Sequence, residues 1–281
     1  MFIVVEVFSF KAVPVLVTGA GRGIGKRLAI GFAQKGARVG LVARSKPELD
    51  LCHLEIQHAG GSALRIRADV RDQEEVQAAA ERMRAHFGSP VQVLVCAAGV
   101  LGPIGPFMHS SAKHWKDVID TNILGVLNAC RAVLPTMAER RSGKIIIVSG
   151  VGGPTPARPN FAVMSATKTG MVRFAESLAD EVAEHNVQVN CLSPGETYTH
   201  QTDQILAAPD RAGWREVEKA REVRMTGGAN ADKQIELAQF LASEHSNHIT
   251  GRMFHVDDQW KKLMKKELAP ELFRLRRVQR L

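Results

Sequence analysis

Residues 13–35 read VPVLVTGAGRGIGKRLAIGFAQK, and the fold of the chain is decided here. An apolar run (13–17) leads into the glycine-rich segment Thr18–Gly25, and a helix-forming run (26–35) follows. Glycines let a backbone approach phosphate groups, and the free N–H groups at a helix start attract negative charge. The pattern therefore predicts a dinucleotide-binding loop, and a glycine-rich turn without a ligand is the alternative.

After this stretch the chain alternates between apolar strands and helices. Such alternation is typical of a parallel sheet with helices on both faces, so we predict a single α/β domain with a doubly wound, Rossmann-like sheet. Ligands bind such a sheet at the carboxyl ends of its strands. The predicted strands are 13–17, 37–42, 63–68, 91–95, 144–148, 187–192 and 252–256, and the predicted helices are 26–35, 47–58, 73–87, 112–139, 163–185 and 232–242.

Two segments depart from this regular alternation. The stretch 196–230 contains helical patches at about 201–207 and 214–224 and is too long for a simple turn, so we interpret it as a lid over the substrate site. The long helix 112–139 contains Pro135, which lacks a backbone N–H and is therefore the expected place for a break.

Composition places the chain among globular proteins, with 281 residues of which 45% are apolar and 23% charged. We divide it into an N-terminal extension (1–12), a dinucleotide-binding domain (13–258) and a basic tail (259–281). The extension is apolar but contains Glu6 and no basic start, so we interpret it as an extra strand or a loose segment, not as a signal peptide. No uncharged apolar run reaches about 18 residues, so we expect no membrane span.

Cysteine and histidine spacing bears on compartment and metal binding. The four cysteines lie far apart and form no C-x-x-C pair, which is typical of reduced thiols and predicts a cytoplasmic protein. The histidines approach metal-ligand spacing only at His245 and His248, beside an expected turn, so we expect no metal.

The basic tail carries most of the net charge of +8, since it contains eight basic and two acidic residues. A basic tail can contact nucleic acid or anionic lipid, but more often it is solvated or contacts another subunit. We favour the second interpretation and do not expect nucleic acid or a membrane as partners.

Further motifs follow the glycine-rich segment in a fixed order, and they are Asp69-Val70, Ala98-Gly99, Asn122, Ser149, Lys168 and Pro194-Gly195 with Thr199. With these motifs the chain resembles the short-chain dehydrogenase/reductase family over about 13–256. Residues 96–99 read CAAG where that family usually has Asn-Asn-Ala-Gly, so two of the four positions agree. The resemblance implies a catalytic set of Asn122, Ser149 and Lys168. It implies cofactor contacts from Gly19, Arg22, Gly23, Ile24, Gly25, Arg44, Ser45, Asp69, Val70, Ala98, Gly99, Asn122, Lys168, Pro194, Gly195, Thr197 and Thr199.

The position of the family's proton-donating tyrosine, four residues before the lysine, is occupied by Met164. A thioether cannot donate a proton, and the longer spacing found in enoyl reductases falls on Phe161. Tyr198 is the one tyrosine of the sequence and either faces the nicotinamide or packs under the lid. Loss of the acid costs on the order of 10²–10⁴ in rate, so the pattern predicts an impaired or altered enzyme, which need not be inactive.

The cofactor can be inferred from the end of the second strand, where residues 43–45 read Ala-Arg-Ser. An NAD site usually has an acidic residue here for the ribose 2′-hydroxyl. Because Arg44 and the nearby Arg22 would instead suit a 2′-phosphate, we favour NADP(H), with NAD(H) as the alternative and a plain surface role for Arg44 left open.

Two functions remain open at this point. The first is an NADP(H)-dependent oxidoreductase acting on a small carbonyl or alcohol substrate, as the resemblance implies. The second is a catalytically impaired NADP(H)-binding relative that acts as a sensor or subunit, which Met164 favours. The resemblance also implies a homodimer or homotetramer formed through the helices 112–139 and 163–185.

Overall fold

The strands that the structure describes form one parallel sheet. They are β1 (Pro14–Thr18), β2 (Arg38–Ala43), β3 (Ser62–Arg67), β4 (Val93–Cys96), β5 (Gly143–Val148), β6 (Val187–Ser193) and β7 (Arg252–His255). In the computed structural model, which describes residues 8–150, 157–263, 268–269 and 271–275, the strand order is β3-β2-β1-β4-β5-β6-β7. The order reverses between β1 and β4, and such a reversal opens a crevice at the carboxyl ends of the strands.

Helices cover both faces of this sheet. They are α1 (Gly23–Gln34), α2 (Lys46–His58), α3 (Gln73–Phe87), α4 (Ala112–Ile119), α5 (Gly125–Glu139), α6 (Ala162–Glu181), α7 (His200–Leu206), α8 (Pro209–Ala212), α9 (Trp214–Thr226) and α10 (Ala231–Ala242). One face packs against α1, α2 and α10 through buried side chains such as Phe32 and Phe240. The other packs against α3, α5 and α6 through side chains such as Met83 and Val172, which confirms the predicted doubly wound α/β fold.

The helix predicted over 112–139 is interrupted, but the expectation of a break at Pro135 is wrong. Residues 120–124 form a π turn between α4 and α5, whereas Pro135 lies inside α5, which continues to Glu139. Val133 and Met137, on either side of the proline, are fully buried against the sheet. Tertiary packing of this face therefore outweighs the local cost of the missing N–H.

The segment 196–230, called the lid below, contains α7, α8 and α9, so its predicted helical patches are present. Its ends are joined, because Thr197 and Gly228 form an antiparallel bridge and the N–H of Tyr198 donates to the Gly227 carbonyl at 3.2 Å. The lid therefore leaves and re-enters the domain at one place. Within the described residues, none of the helices is long and apolar enough to span a membrane.

Residues 8–12 of the predicted N-terminal extension pack onto the domain. Phe10 is only 3% exposed, and its ring meets that of Phe32 edge to face with centroids 5.1 Å apart. The N–H of Phe10 donates to the Lys35 carbonyl at 2.9 Å, and the ring of Phe8 lies 6.4 Å from that of Phe240. This part of the extension is therefore not in a strand, and it is not loose either; residues 1–7 lie outside the described residues.

We predict that Phe10→Ala lowers the free energy of unfolding by about 3–5 kcal/mol, because it removes a buried aromatic side chain and leaves a cavity beside Phe32. Chemical denaturation followed by circular dichroism measures this change. Phe107→Ala is the matched control, since Phe107 is 55% exposed, and its effect should stay below about 1 kcal/mol. Equal effects of the two substitutions would show that the segment adds nothing to the core.

Candidate active site

The glycine-rich loop lies directly against the loop that follows β4. Gly19 has φ +69°, and a Cβ at this position would lie 2.7 Å from the backbone of Ala98. The side-chain oxygen of Thr18 accepts a hydrogen bond from the Ala98 N–H at 3.4 Å. A side chain at residue 19 would push the two loops apart, so this contact depends on glycine.

The start of α1 fits an anionic ligand. Side chains of Ser45, Asp72 and Asn230 cap α2, α3 and α10, whereas Arg22 makes no capping hydrogen bond to α1 and the first turn of α1 contains no acidic residue. The first N–H groups of this helix therefore remain available for the phosphates of a dinucleotide. Gly23, the first residue of α1, also lies against Thr199. A Cβ added at Gly23 would lie 3.4 Å from the methyl group of Thr199.

Asn122 joins three parts of the site from the π turn. It is 2% exposed, and its amide both accepts from the Val100 N–H at 2.8 Å and donates to the Val100 carbonyl at 3.0 Å. The same amide group donates to the Thr167 hydroxyl at 3.2 Å. These bonds fix the loop after β4 to α6.

Ser149 is hydrogen-bonded to Lys168 close to the three hydrogen bonds of Asn122, which are called the Asn122 clamp below. The ammonium of Lys168 donates to the Val148 carbonyl at 3.0 Å, and the hydroxyl of Ser149 donates to the Lys168 carbonyl at 3.1 Å. A Cβ added to Gly99 would lie 3.3 Å from the Asn122 side-chain oxygen and 3.5 Å from the Lys168 nitrogen. Burial of its amine lowers the pKa of Lys168 to about 8, although the nearby Cys191 acts in the opposite direction.

Met164 lies one helical turn before Lys168 and belongs to an apolar cluster. The cluster joins the loop after β4, the start of α6 and the lid, and its buried members are Leu101, Phe161, Met164, Ile205, Ala212, Val217 and Ala220. Met164 itself is 6% exposed. The lid is thus closed over this side chain, and the surroundings of Met164 are apolar.

The hydroxyl of Tyr198 does not enter this cluster. It donates to the Asp203 carboxylate at 2.9 Å, and the residue is 40% exposed on the lid. The hydrogen bond to Asp203 raises the pKa of Tyr198. The structure thus places Tyr198 on the exposed side of the lid, so it does not pack under the lid as one of the two predictions had it.

The loop after β6 is held by a residue that the sequence did not single out. Gln234 of α10 is fully buried, and its amide donates to the Pro194 carbonyl at 2.6 Å and to the Thr197 hydroxyl at 2.7 Å. The hydroxyl of Thr197 in turn donates to the Gly195 carbonyl at 3.2 Å. Nothing in the local sequence of α10 indicates this role, because it depends on the packing of α10 under β6.

An ion pair that was not predicted from the sequence joins the lid to the loop before α6. The Arg158 guanidinium donates to the Glu216 carboxylate at 2.8 Å, and both side chains are largely buried. The guanidinium also lies 4.2 Å from the centre of the Phe161 ring. Separating a buried ion pair would leave an uncompensated charge away from water, so this pair keeps α9 in its position over the apolar cluster.

At the other end of the crevice, charged side chains surround the loops after β2 and β3. Gly21 lies against Ala43 and Glu48, which brings Arg22 and Arg44 to the same corner. Arg22 pairs with Glu48 at 3.1 Å, and Arg44 lies 3.9 Å from Asp69. Burial tends to raise the pKa of Asp69, but hydrogen bonds from Arg71 outweigh it and lower that pKa.

The remaining predicted residues lie at the same edge of the sheet. Ile24 is half-buried at the start of α1, and Val70, after β3, is buried with its carbonyl accepting from the Asn128 amide at 2.9 Å. Apart from Asn122 and Lys168, the predicted cofactor residues all lie in loops or helix starts that follow β1, β2, β3, β4 and β6. Among the described residues, no group of three His, Cys, Asp or Glu side chains is arranged to hold a metal.

Comparison with known proteins gives relatives over most of the chain. It is 35% identical over 243 residues to 3-oxoacyl-(acyl-carrier-protein) reductase FabG of Staphylococcus aureus, covering 86% of this chain and 95% of that protein. It is also 35% identical over 244 residues to oxidoreductase UcpA of Escherichia coli, covering 86% of this chain and 92% of that protein.

Solved structures of reductases also align with this chain. Actinorhodin polyketide ketoreductase with NADPH aligns with a TM-score of 0.79 and 28% identity over 87% of this chain and 95% of that one. A 3-oxoacyl-(acyl-carrier protein) reductase with bound NAD from Brucella melitensis aligns with a TM-score of 0.74 and 28% identity over 88% of this chain and 90% of that one.

A family model, described as short chain dehydrogenase, matches residues 14–210. This match covers the glycine-rich loop, the Asn122 clamp, Lys168 and the loop after β6. With the relatives and the fold it shows that the chain belongs to the short-chain dehydrogenase/reductase family, whose members are oxidoreductases that use nicotinamide cofactors.

Proposed function

We propose that this chain is an NADP(H)-dependent oxidoreductase that transfers hydride between the nicotinamide and a ketone or alcohol. The observation that carries the proposal is the unbroken series of contacts at the crevice. Gly19 lies against Ala98, and the next residue, Gly99, lies against Asn122 and Lys168. The uncapped start of α1, which suits a phosphate, and a buried polar cluster are therefore connected along one edge of the sheet.

The preference for NADP(H) is supported by the corner around Arg22 and Arg44. Both side chains are more than half exposed, and β2 ends in Ala43 rather than in a carboxylate. Two guanidinium groups at this corner suit a phosphate on the adenosine ribose. NAD(H) is the second candidate, because the Glu48 carboxylate lies beside Gly21 and offers an acceptor for a ribose hydroxyl.

Arg44→Ala should weaken NADPH binding by roughly 10–100-fold, since a charge-assisted hydrogen bond contributes about 1.5–3 kcal/mol. NADH binding should change little, because that cofactor lacks the phosphate. Fluorescence titration of both cofactors measures this, with Arg82→Ala on the exposed face of α3 as the matched control. An equal loss for both cofactors contradicts the proposed phosphate contact.

The catalytic roles follow from the same geometry. A bound nicotinamide supplies the hydride or accepts it. Ser149 carries the hydroxyl that can turn from the Lys168 carbonyl to hydrogen-bond the substrate oxygen. Lys168 binds the ribose of the cofactor, and Asn122 positions both the β4 loop and α6 through its bonds to Val100 and Thr167.

We assign Met164 to the position at which the family carries its tyrosine, since it lies one turn before Lys168 on the same face of α6. A thioether does not exchange protons, so another group must protonate the substrate oxygen. Lys168, whose pKa lies at about 8, is still mostly an ammonium at neutral pH. We therefore assign the proton to the Lys168 nitrogen, which passes it on through a water or a ribose hydroxyl.

The rate of ketone reduction should fall as the pH rises through about 8, by roughly tenfold per unit, because deprotonated Lys168 has no proton to give. Alcohol oxidation should rise over the same range, since the neutral amine can accept the proton. Steady-state kcat profiles in both directions test this, and Lys168→Met should remove the inflection. Profiles without an inflection near 8 would assign the proton to another group.

The alternative function is an NADP(H)-binding relative without catalysis. The apolar cluster favours it, because Leu101, Phe161 and Ile205 enclose Met164 and offer no acidic group. In that case the chain would bind NADPH but would not oxidise it with any carbonyl compound.

Met164→Tyr separates the two functions. If the site is a reductase without its usual acid, the substitution should raise the rate of NADPH oxidation over a panel of ketones by about 10²–10⁴-fold. Met164→Leu controls for altered packing, since leucine keeps the volume and adds no acid. A wild type that is already active and gains little places the proton source elsewhere, whereas bound but unoxidised NADPH in both proteins supports the binding role.

We also propose a homodimer or homotetramer formed through the helices α4 to α6. Exposed apolar side chains support it, since Ile119 and Leu124, at the ends of α4 and of the π turn, are 42% and 43% exposed. An apolar surface of this kind gains stability when it is covered by a second subunit.

A further inference from the structure

The β7 strand lies at one edge of the sheet and has β6 on its other side. Its residues Met253 and His255 direct their N–H groups away from β6, while Val256, just beyond the strand, donates to Ser193 of β6. An edge strand with unpaired N–H groups is a template for pairing with another chain. Both outward donors of β7 are nevertheless occupied within the chain.

A backbone carbonyl of the basic tail accepts the hydrogen bond from one of these donors. The N–H of Met253 donates to the Phe273 carbonyl at 2.8 Å, and the Arg252 guanidinium donates to the Leu272 carbonyl at 3.1 Å. The N–H of His255 donates to the Asp258 carboxylate at 2.6 Å, just before the tail begins. Chain-terminal residues thus lie across the edge where a further strand would bind.

Contacts on both sides of β7 hold the tail in this place. Trp260 is 3% exposed and stacks on Phe240 of α10 with centroids 4.8 Å apart. The ring of Phe273 lies 4.6 Å from that of Phe254 in β7. Beyond the edge, the N–H of Leu275 donates to the buried Glu176 carboxylate of α6 at 2.6 Å. The described tail residues therefore run from one face of the sheet, across its edge, to the other face.

The backbone conformation of Phe273 indicates that contacts with β7 determine the course of the tail. Phe273 has φ +58°, a conformation that is costly for a bulky residue and persists only where its surroundings demand it. At this residue the ring meets Phe254 and the carbonyl meets Met253. Phe273, the residue with the strained backbone, is thus also the residue that contacts the edge strand β7.

The opposite edge of the sheet is protected in another way. Three of the six residues of the β3 strand are exposed, and they include the charged residues Arg65 and Arg67. Charged side chains on an edge strand oppose pairing with a second chain. The charged residue of β7, Arg252, is instead buried and donates to the Leu272 carbonyl of the tail, and the next two residues, Met253 and Phe254, are apolar. No exposed charge on the described strand β7 therefore protects this edge.

We propose that the tail is an intramolecular cap on β7 that keeps this edge from pairing with the β7 strand of a second copy of the chain. A second copy is the occupant that fits best, because it presents the same strand, with the same outward donors and the apolar residues Met253 and Phe254. Two such strands can pair about a twofold axis, each satisfying the donors of the other. The cap acts at a site separate from the crevice, so the proposal does not depend on the proposed function.

Truncation tests the cap. A chain that ends at Leu263 keeps the Trp260 contact but loses the residues that cross β7. Size-exclusion chromatography with light scattering should show a twofold higher molar mass for this chain than for the full chain. A chain that ends at Leu275 is the matched control, because it loses three arginines but keeps the edge contact, and its mass should not change.

Met253→Pro in the chain that ends at Leu263 identifies the surface responsible. Proline removes the outward N–H of residue 253, which is tolerated at an edge strand, and the mass should return to that of the full chain. If the shortened chain is insoluble, the same substitution should restore solubility. The proposal is overturned by an unchanged mass after truncation, by association that persists with Met253→Pro, or by doubling in the chain that ends at Leu275.

Discussion

The side-chain amide of Asn122 is the interaction on which the crevice depends. It saturates both the N–H and the carbonyl of Val100 and reaches the Thr167 hydroxyl, so one buried group fixes the β4 loop against α6. A buried polar group that loses its partner costs about 1–3 kcal/mol, which makes any other arrangement of these parts unfavourable. The π turn places the amide where it can make all three bonds, and the positions of Gly99 and Lys168 follow from it.

Local patterns explain why much of this architecture could be predicted. The bounds of α3 were predicted to the residue, because its apolar spacing, its Asp72 cap and the left-handed Gly88 at its end are all written in consecutive residues. The bond from Gln234 to the Pro194 carbonyl could not be predicted in this way, and neither could the Arg158–Glu216 pair. Each joins residues about 40 or more positions apart, so it exists only once the helices have packed.

The two ends of the crevice differ in polarity and in exposure to water, and each end therefore suits a different kind of chemical group. The corner near Arg22 and Arg44 is exposed and charged, so it can exchange a charged ligand with water. The cluster around Met164 is dry and apolar, and a charged group would lose its hydration there. Lys168 lies one helical turn after Met164, and its enclosed amine is less basic than a lysine in water.

The bridge between Thr197 and Gly228 has a consequence for how such a protein can diversify. The two ends of the lid are held together by this bridge. The entropic cost of closing such a loop grows only slowly with its length, by about 0.6 kcal/mol for each doubling. Insertions, deletions and substitutions between the two ends leave the strand register unchanged. Changes in the lid can therefore alter the apolar cluster around Met164 without moving the strands that carry the glycine-rich loop.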